Sequence, residues 1–257
     1  QHTLPADKVI VATGGCSYVS TGSTGDGYEF AKEAGHTVTA IRPGLTGIVT
    51  ADNIGKQLQG LTLKNCQVSI RRESGKQKSL YDGFGEVLFT HYGVSGPLML
   101  SASSIVGDKL QKEPLILHID LKPALSMEQL DKRIVKDFSE RMNLSLKNAC
   151  RNLLPASMVT EVLSRAGLDV DSKVNQLDKK NRLKLVDSIK DFTVTLKGLR
   201  DINEAIITRG GVKVSEIDPS TMESKQIQGL DLDALTGGFN LQIAWSTGYL
   251  AGREESN

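Results

Sequence analysis

Glycine is spread unevenly along this chain, and its distribution limits what the chain can fold into. Of 25 glycines in 257 residues, sixteen lie in residues 1–50 and 198–257, and nine in the longer middle. Between residues 123 and 197 there is one, Gly167. Glycine gathers where backbone takes φ > 0 or approaches something closely, and helix interiors disfavour it. The two ends therefore read as one kind of structure and the middle as another. At roughly 100–200 residues per domain, the length suits one large domain or two to three small ones.

Composition removes several classes. Lys and Arg number 31 against 30 Asp and Glu, a formal charge of +1, so no global field steers nucleic acid or an anionic membrane to the chain. No apolar run approaches the ~20 residues of a spanning helix. Cys16, Cys66 and Cys150 are odd in number, far apart and without metal-ligand spacing, so neither a disulfide scaffold nor a zinc site is expected. A soluble, intracellular chain of the cytoplasm is the expectation that survives.

Organisation follows from pattern. Residues 8–15, KVIVATGG, are a short apolar run closed by two glycines and read as a strand buried on both faces. A chain that opens on a central strand is expected to have had something before it. A glycine-rich loop, TGSTGDG at 21–27, leads into a helix from Tyr28 to Ala34 with Gly35 at its C′ position. Residues 38–41 are a candidate next strand. From Pro43 to about His118 alternation takes over, at 61–70, 83–89 and 115–120, and reads as a small barrel or sandwich. Residues 123–187 are helical, with Leu130, Ile134, Val135 and Phe138 as one stripe and Met158, Val162 and Leu163 as another. Ser126 and Gln129 have capping-box spacing. Strand character returns at 192–196 and 204–208, and a final helix, 240–251, follows Thr236-Gly-Gly238. Residues 121–190 hold 14 basic and nine acidic residues. The basic residues are interleaved with acids and lack aromatic partners, so nucleic acid is not the expected partner.

Chemistry concentrates in the glycine-rich ends. Two helices begin directly after glycine-rich turns, and each N-terminus offers unpaired N–H groups and a partial positive charge. Thr24, Gly25 and Asp26 of the first turn are candidates for cofactor binding. Gly25 and Gly27 would let a ligand touch bare backbone, and Asp26 would cap the helix or accept from a ribose hydroxyl. The alternative, glycines needed only for tight turns, stays open. His91 in FTHYG and Arg209 in TRGGV are the candidate catalytic residues, the first for its titration range and the second for holding a carboxylate or carbonyl substrate. A structural role remains open for each. His118 in an alternating strand reads as core or edge packing, and His36 as favourable charge at a helix C-terminus. No triad or metal cluster can be assembled from the sequence.

These residues carry a resemblance. Segments 12–18 (ATGGCSY) and 20–36 (STGSTGDGYEFAKEAGH) resemble the HI0933-like flavoproteins, the aminoacetone-oxidase-like or BaiN family of NAD(P)/FAD-dependent oxidoreductases. Further matches follow in order at 58–65, 85–97, 203–212, 216–225 and 231–252. The resemblance implies an α/β fold: a discontinuous two-dinucleotide-binding-domain, Rossmann-like core with an inserted β-barrel-like domain, itself interrupted by a small helical domain. Mapped here, that gives 1–43 with 207–257, 44–122 with 188–206, and 123–187. It also implies FAD, with Thr13, Gly14 and Gly15 passing it by backbone. The helix opening at Gly237, Gly238 and Asn240 would aim N–H groups at the flavin N1–C2=O edge, with Leu241 and Gln242 alongside; capping and a solvated face are the other reading for Asn240 and Gln242.

Two departures matter. The family's GxGxxG turn and the acidic residue after it are absent, and so is a short YFAGE-L stretch between Leu230 and Asp231. Weak or no FAD binding by this chain is the consequence expected. Function then reads as an FAD-dependent oxidoreductase moving hydride between flavin and a small amine, hydroxy or carbonyl compound, or NAD(P)H. A flavin- or nucleotide-binding module without turnover, allied to RNA modification, is the alternative.

Overall fold

The computed structural model describes residues 4–6, 9–73, 78–218, 220–225 and 237–252, with side chains in the last segment from residue 241 onward. In chain order the first half holds α1 (Asp26–Glu33), β1 (Arg42–Gly44), β2 (Ile48–Thr50), α2 (Ile54–Gln57), β3 (Thr62–Arg72), β4 (Tyr81–Thr90), β5 (Gly93–Ser95) and α3 (Pro97–Leu110). The second half holds β6 (Leu115–Asp120), α4 (Met127–Ser139), α5 (Leu146–Ala149), α6 (Ala156–Arg165), α7 (Lys179–Lys190), β7 (Phe192–Leu199), β8 (Ile207–Arg209) and α8 (Gly237–Ala251). The chain forms two compact units, 48–198 and 1–47 with 199–257.

The unit 48–198 is built on a closed barrel of order β2-β5-β4-β3-β6-β7. Closure is visible where the Ala51 N–H donates to the Thr195 carbonyl at 2.8 Å. The alternation read in the sequence sets its inside and outside. Val68 and Ile70 of β3, Val87 and Phe89 of β4, Leu117 and Ile119 of β6, and Phe192 and Val194 of β7 all point inward and are buried. At about 1.5–3 kcal/mol for each fully buried large side chain, this filling dominates the unit's stability. Helix α3 closes one part of the barrel: Leu98 lies where a Cβ on Gly83 would stand, and its carbonyl accepts from the Tyr81 hydroxyl at 3.2 Å. At Gly93 a Cβ would come within 2.3 Å of the Ile48 carbonyl oxygen, so backbone packs on backbone between β2 and β5.

The helices inserted between β6 and β7 form as their pattern predicts. Ser126 accepts from the Gln129 N–H at 3.1 Å and the Gln129 side chain accepts from the Ser126 N–H at 2.9 Å, which completes the capping box of α4. Leu130, Ile134 and Phe138 are buried, but Val135 is 44% exposed and belongs to the solvent side. An i+5 offset from Leu130 turns Val135 off the stripe. Asp131 of α4 takes a two-pronged contact from Arg182 of α7, at 2.6 and 3.3 Å. Arg165 of α6 lies 4.0 Å over the Phe192 ring and donates to the Thr193 carbonyl, tying the helices to the barrel.

The second unit is smaller in regular structure. Helix α1 ends in a full Schellman motif: Gly35 has φ 87°, its N–H donates to the Lys32 carbonyl, and the His36 N–H donates to the Ala31 carbonyl. Strands β1 and β8 pair antiparallel, Arg42 opposite Arg209, and the ribbon continues to a bridge between Val38 and Val212. Ala31, Val212 and Ile217 form a small core with Val38 packed against it.

Three expectations differ from this. Residues 9–15 are not a strand, and Val9 and Ile10 are 69% and 59% exposed. A strand needs neighbours to hydrogen-bond, and among the described residues none pairs with this run. The strand expected at 38–41 is displaced to 42–44, leaving a single bridge at Val38. The strand expected at 204–208 narrows to 207–209, because Asp201 caps a 3-10 turn at Ile202–Glu204 by accepting from the Asn203 N–H.

Candidate functional site

The glycine-rich ends meet in one cleft of about 490 Å³ in the unit formed by 1–47 and 199–257. Its walls are the turn Thr13-Gly14-Gly15, the loop and first turn of α1, the β8 segment from Ile206 to Val212, and one face of α8. Aliphatic groups (Val11, Ile207, Ile243) alternate with hydroxyls (Thr13, Ser17, Thr247), and no Asp, Glu, Lys, Arg or His lines the cleft among the described residues.

Thr208 organises the wall. Its hydroxyl oxygen accepts from the backbone N–H of Cys16 at 2.7 Å and of Ser17 at 2.9 Å, and lies 2.9 Å from the Ser17 hydroxyl. One side chain thus satisfies two amide donors that the irregular 13–17 turn would otherwise leave unpaired. The glycines allow the rest to close up. A Cβ on Gly15 would sit 2.6 Å from the Thr208 hydroxyl, and one on Gly27 2.3 Å from the Thr13 hydroxyl. A Cβ on Gly25 would sit 2.7 Å from the Cys16 sulfur, and Gly14 and Gly25 both have left-handed φ, 72° and 87°. These glycines are required by packing within the loops, and Gly14, Gly15 and Gly27 also present backbone to the cleft.

The same unit holds a hydrogen-bonded line that the sequence did not offer. The Nδ1 of His36 is 2.9 Å from a Glu216 carboxylate oxygen, and its Nε2 is 2.8 Å from the Ser224 hydroxyl. The same Glu216 oxygen accepts from the Thr37 N–H at 3.0 Å. These hydrogen bonds hold the Glu216 carboxyl down at about 2. The order Ser–His–Glu has a relay's connectivity, but the His36 side chain is 0% exposed, so no substrate reaches the imidazole. The line clamps the 216–225 segment to the end of α1.

The remaining candidates are placed as follows. Thr24 is exposed, Gly25 is buried at the N-cap of α1, and Asp26 is the first helical residue with its carboxylate outside the cap hydrogen bonds. Gly237, Gly238 and Asn240 open α8, but their side-chain environment lies outside the described residues. Leu241 is exposed, and Gln242 is exposed with its amide donating to the Ser246 hydroxyl at 3.0 Å. The face of α8 that lines the cleft is Ile243, Ala244 and Thr247. Arg209 lies in β8, its stem against Gly44. His91 belongs to the other unit, exposed in the turn between β4 and β5 with its ring edge-on to Tyr92 at 5.0 Å. His118 is on the outer face of the barrel, its Nδ1 2.7 Å from Asp191, and does not pack in the core. Sequence reasoning missed Thr208, Tyr28 and the Ile243–Thr247 face. A threonine directly before Arg-Gly-Gly was the only local signal for the first.

Comparison with known proteins adds the family. The description "HI0933-like protein barrel and H2TH domain" matches residues 42–207. A 3-dehydro-bile acid delta(4,6)-reductase of Clostridium scindens is 27% identical, the alignment covering 97% of this chain and 62% of that protein. Ribosomal RNA dihydrouridine synthases of Escherichia coli and Haemophilus influenzae are 29% and 33% identical, over 98% and 94% of this chain and 61% and 58% of theirs. The chain therefore spans about three fifths of the length of these curated relatives. Among the described residues no helix is long and apolar enough to cross a membrane. The match covers more than half of the chain, and the chain belongs to the HI0933-like family.

Proposed function

We propose that this chain holds the ring portion of a flavin in a reductase that saturates a carbon–carbon double bond conjugated to a carbonyl. The observation that carries the reading is the lining of the 490 Å³ cleft. Bare glycine backbone and hydroxyls suit the polar edge of a planar heteroaromatic ring, and the aliphatic groups suit its faces. No cation stands among the described lining residues to neutralise a diphosphate, so the fit is to the uncharged part of FAD. The discontinuous Rossmann-like core, and the division into 1–43 with 207–257, 44–122 with 188–206, and 123–187, belong to the same proposal.

The relatives' names favour the reaction class. A 3-dehydro Δ4,6 bile acid and a uridine share one reducible group, a C=C in conjugation with C=O. A bound flavin supplies the hydride equivalent. The chain's own residues bind and orient: the 13–15 turn and Gly27 hold the ring edge by backbone, and Thr24, Gly25 and Asp26 support that loop. The amide groups opening α8 at Gly237, Gly238 and Asn240 favour charge that builds up near them on reduction, with Leu241 and Gln242 flanking. Arg209, beside the lining residues Thr208 and Gly210, is the proposed contact for the substrate carbonyl, and the proton that completes the addition comes from solvent. NAD(P)H is the proposed external reductant. The three free cysteines suit the reducing cytoplasm.

Anaerobic assay of the full-length protein with NAD(P)H tests this. The expected result is oxidation of NAD(P)H that depends on a 3-oxo-Δ4 steroid or on uridine-containing RNA, yielding the saturated product. Oxidation of an amine or alcohol, with neither unsaturated substrate consumed, contradicts it.

A further inference from the structure

We infer that the outer face of the barrel carries a second site, a cleft for one ribonucleotide, independent of the flavin reading. The cleft, about 290 Å³, lies across β4, β3 and β6. That is near the low end of the roughly 300–1,000 Å³ of small-molecule sites. Its floor is Ser69, which is 9% exposed and whose hydroxyl has no hydrogen-bond partner among the described residues. A nearly buried hydroxyl without a partner is satisfied when a ligand fills the space above it.

Register arranges the surroundings. Ser69 stands opposite Asp82 on one side and His118 on the other. Two residues along, Gln67 stands opposite Phe84 and Asp120. Directly opposed side chains are about 4.5–5.5 Å apart at Cβ, so the set forms one continuous surface. Two of its carboxylates are already matched: Asp120 by Lys190 at 2.5 Å and Asp191 by His118 at 2.7 Å. Arg71 and Asp82 also line the cleft, and neither has a side-chain partner among the described residues. Phe84, on the same outward side as Asp82, is 61% exposed.

Each group finds its complement in a ribonucleotide. The Phe84 ring offers a stacking platform for an unstacked base, Gln67 and Ser69 offer hydrogen bonds to its edge, and Arg71 offers a fork to the phosphate. Asp82 accepts from ribose hydroxyls, which deoxyribose supplies in smaller number. The one aromatic residue of 121–190, Phe138, is buried, which speaks against nucleic acid on that segment. This cleft is centred on the barrel strands, and the exposed Phe84 stands beside its lining, two positions along β4 from Asp82.

Fluorescence anisotropy of the full chain tests it, with a labelled oligouridylate of about ten nucleotides, within the usual site sizes. Free UMP is used as competitor. Phe84→Ala is expected to weaken binding about 5- to 150-fold, the range of one base stack. Arg71→Gln is expected to weaken it and lower the salt slope by about one phosphate. Asp82→Asn is expected to erase a preference for RNA over DNA of the same sequence. Competition by UMP at its own bound concentration assigns the site to free nucleotide, and binding of the strand alone assigns it to RNA. No binding at physiological salt overturns the proposal. So does loss on Lys180→Ala/Lys184→Ala while Phe84→Ala and Arg71→Gln bind as wild type, which places any RNA on α7. Thermal unfolding of each variant, at positions on the surface, confirms that the fold is kept.

Discussion

At Gly27 the nearest heavy atom to an added methyl group would be the Thr13 hydroxyl oxygen at 2.3 Å, so the Thr13 side chain at the cleft wall must shift to admit it. Gly27→Ala is expected to cost about 1–3 kcal/mol of stability, as overpacking does, and to weaken flavin binding at least about tenfold. Thr208→Val leaves the Cys16 and Ser17 amides without their acceptor and is expected to cost about 1–3 kcal/mol, with Thr208→Ser close to wild type. Chemical denaturation checks both. The Thr90 hydroxyl is buried with no partner among the described residues, so Thr90→Val is expected to leave stability unchanged or raise it by about 1 kcal/mol. Thiols order by burial: it pushes Cys66 up to about 11 and Cys150 up to about 12, while Cys16 is raised less and is partly exposed. Native protein is expected to give one fast thiol with a disulfide reagent, lost in Cys16→Ser. Two glycines closing the run at 8–15 were visible in the sequence, but Thr13, Gly14 and Gly15 came forward as cofactor contacts only through the resemblance, and the run itself read as a strand. Thr208 was not legible, since its partners are about 190 positions away in sequence and a hydroxyl has no pattern of its own.

At the scale of elements, legibility followed periodicity. The barrel strands at 61–70, 83–89 and 115–120 emerged because one face of each is buried, which forces alternation. Helix α4 emerged from its capping box, and Ser126→Ala is expected to cost about 1 kcal/mol, measured by urea unfolding. Val135 was misassigned because a three-to-four spacing admits neighbours that the helix turns outward. The run at 9–15 failed for another reason: apolar content marks what a segment would bury, but pairing requires a neighbouring strand. Whether six strands close or stack is a matter of the last pairing, and no residue near Ala51 or Thr195 announces it.

For the whole molecule, the His36 clamp couples pH to the unit that holds the cleft. Glu216 is lowered from an ordinary 4.5 to about 2, so its contribution to stability is complete above 4.5 and lost as pH falls toward 2. The stability gap between wild type and Glu216→Gln is therefore expected to narrow across that interval and to be constant above it. Denaturation at a series of pH values reads this directly. The central claim, that this chain holds the uncharged part of a flavin, is tested most directly by titrating it with riboflavin and with FAD and following flavin fluorescence. Weak, saturable binding of both is predicted, equal within about threefold because no charged side chain lines the cleft among the described residues, and weakened together at least about tenfold by Gly27→Ala. Binding of neither ligand, or FAD held far more tightly than riboflavin, would contradict it.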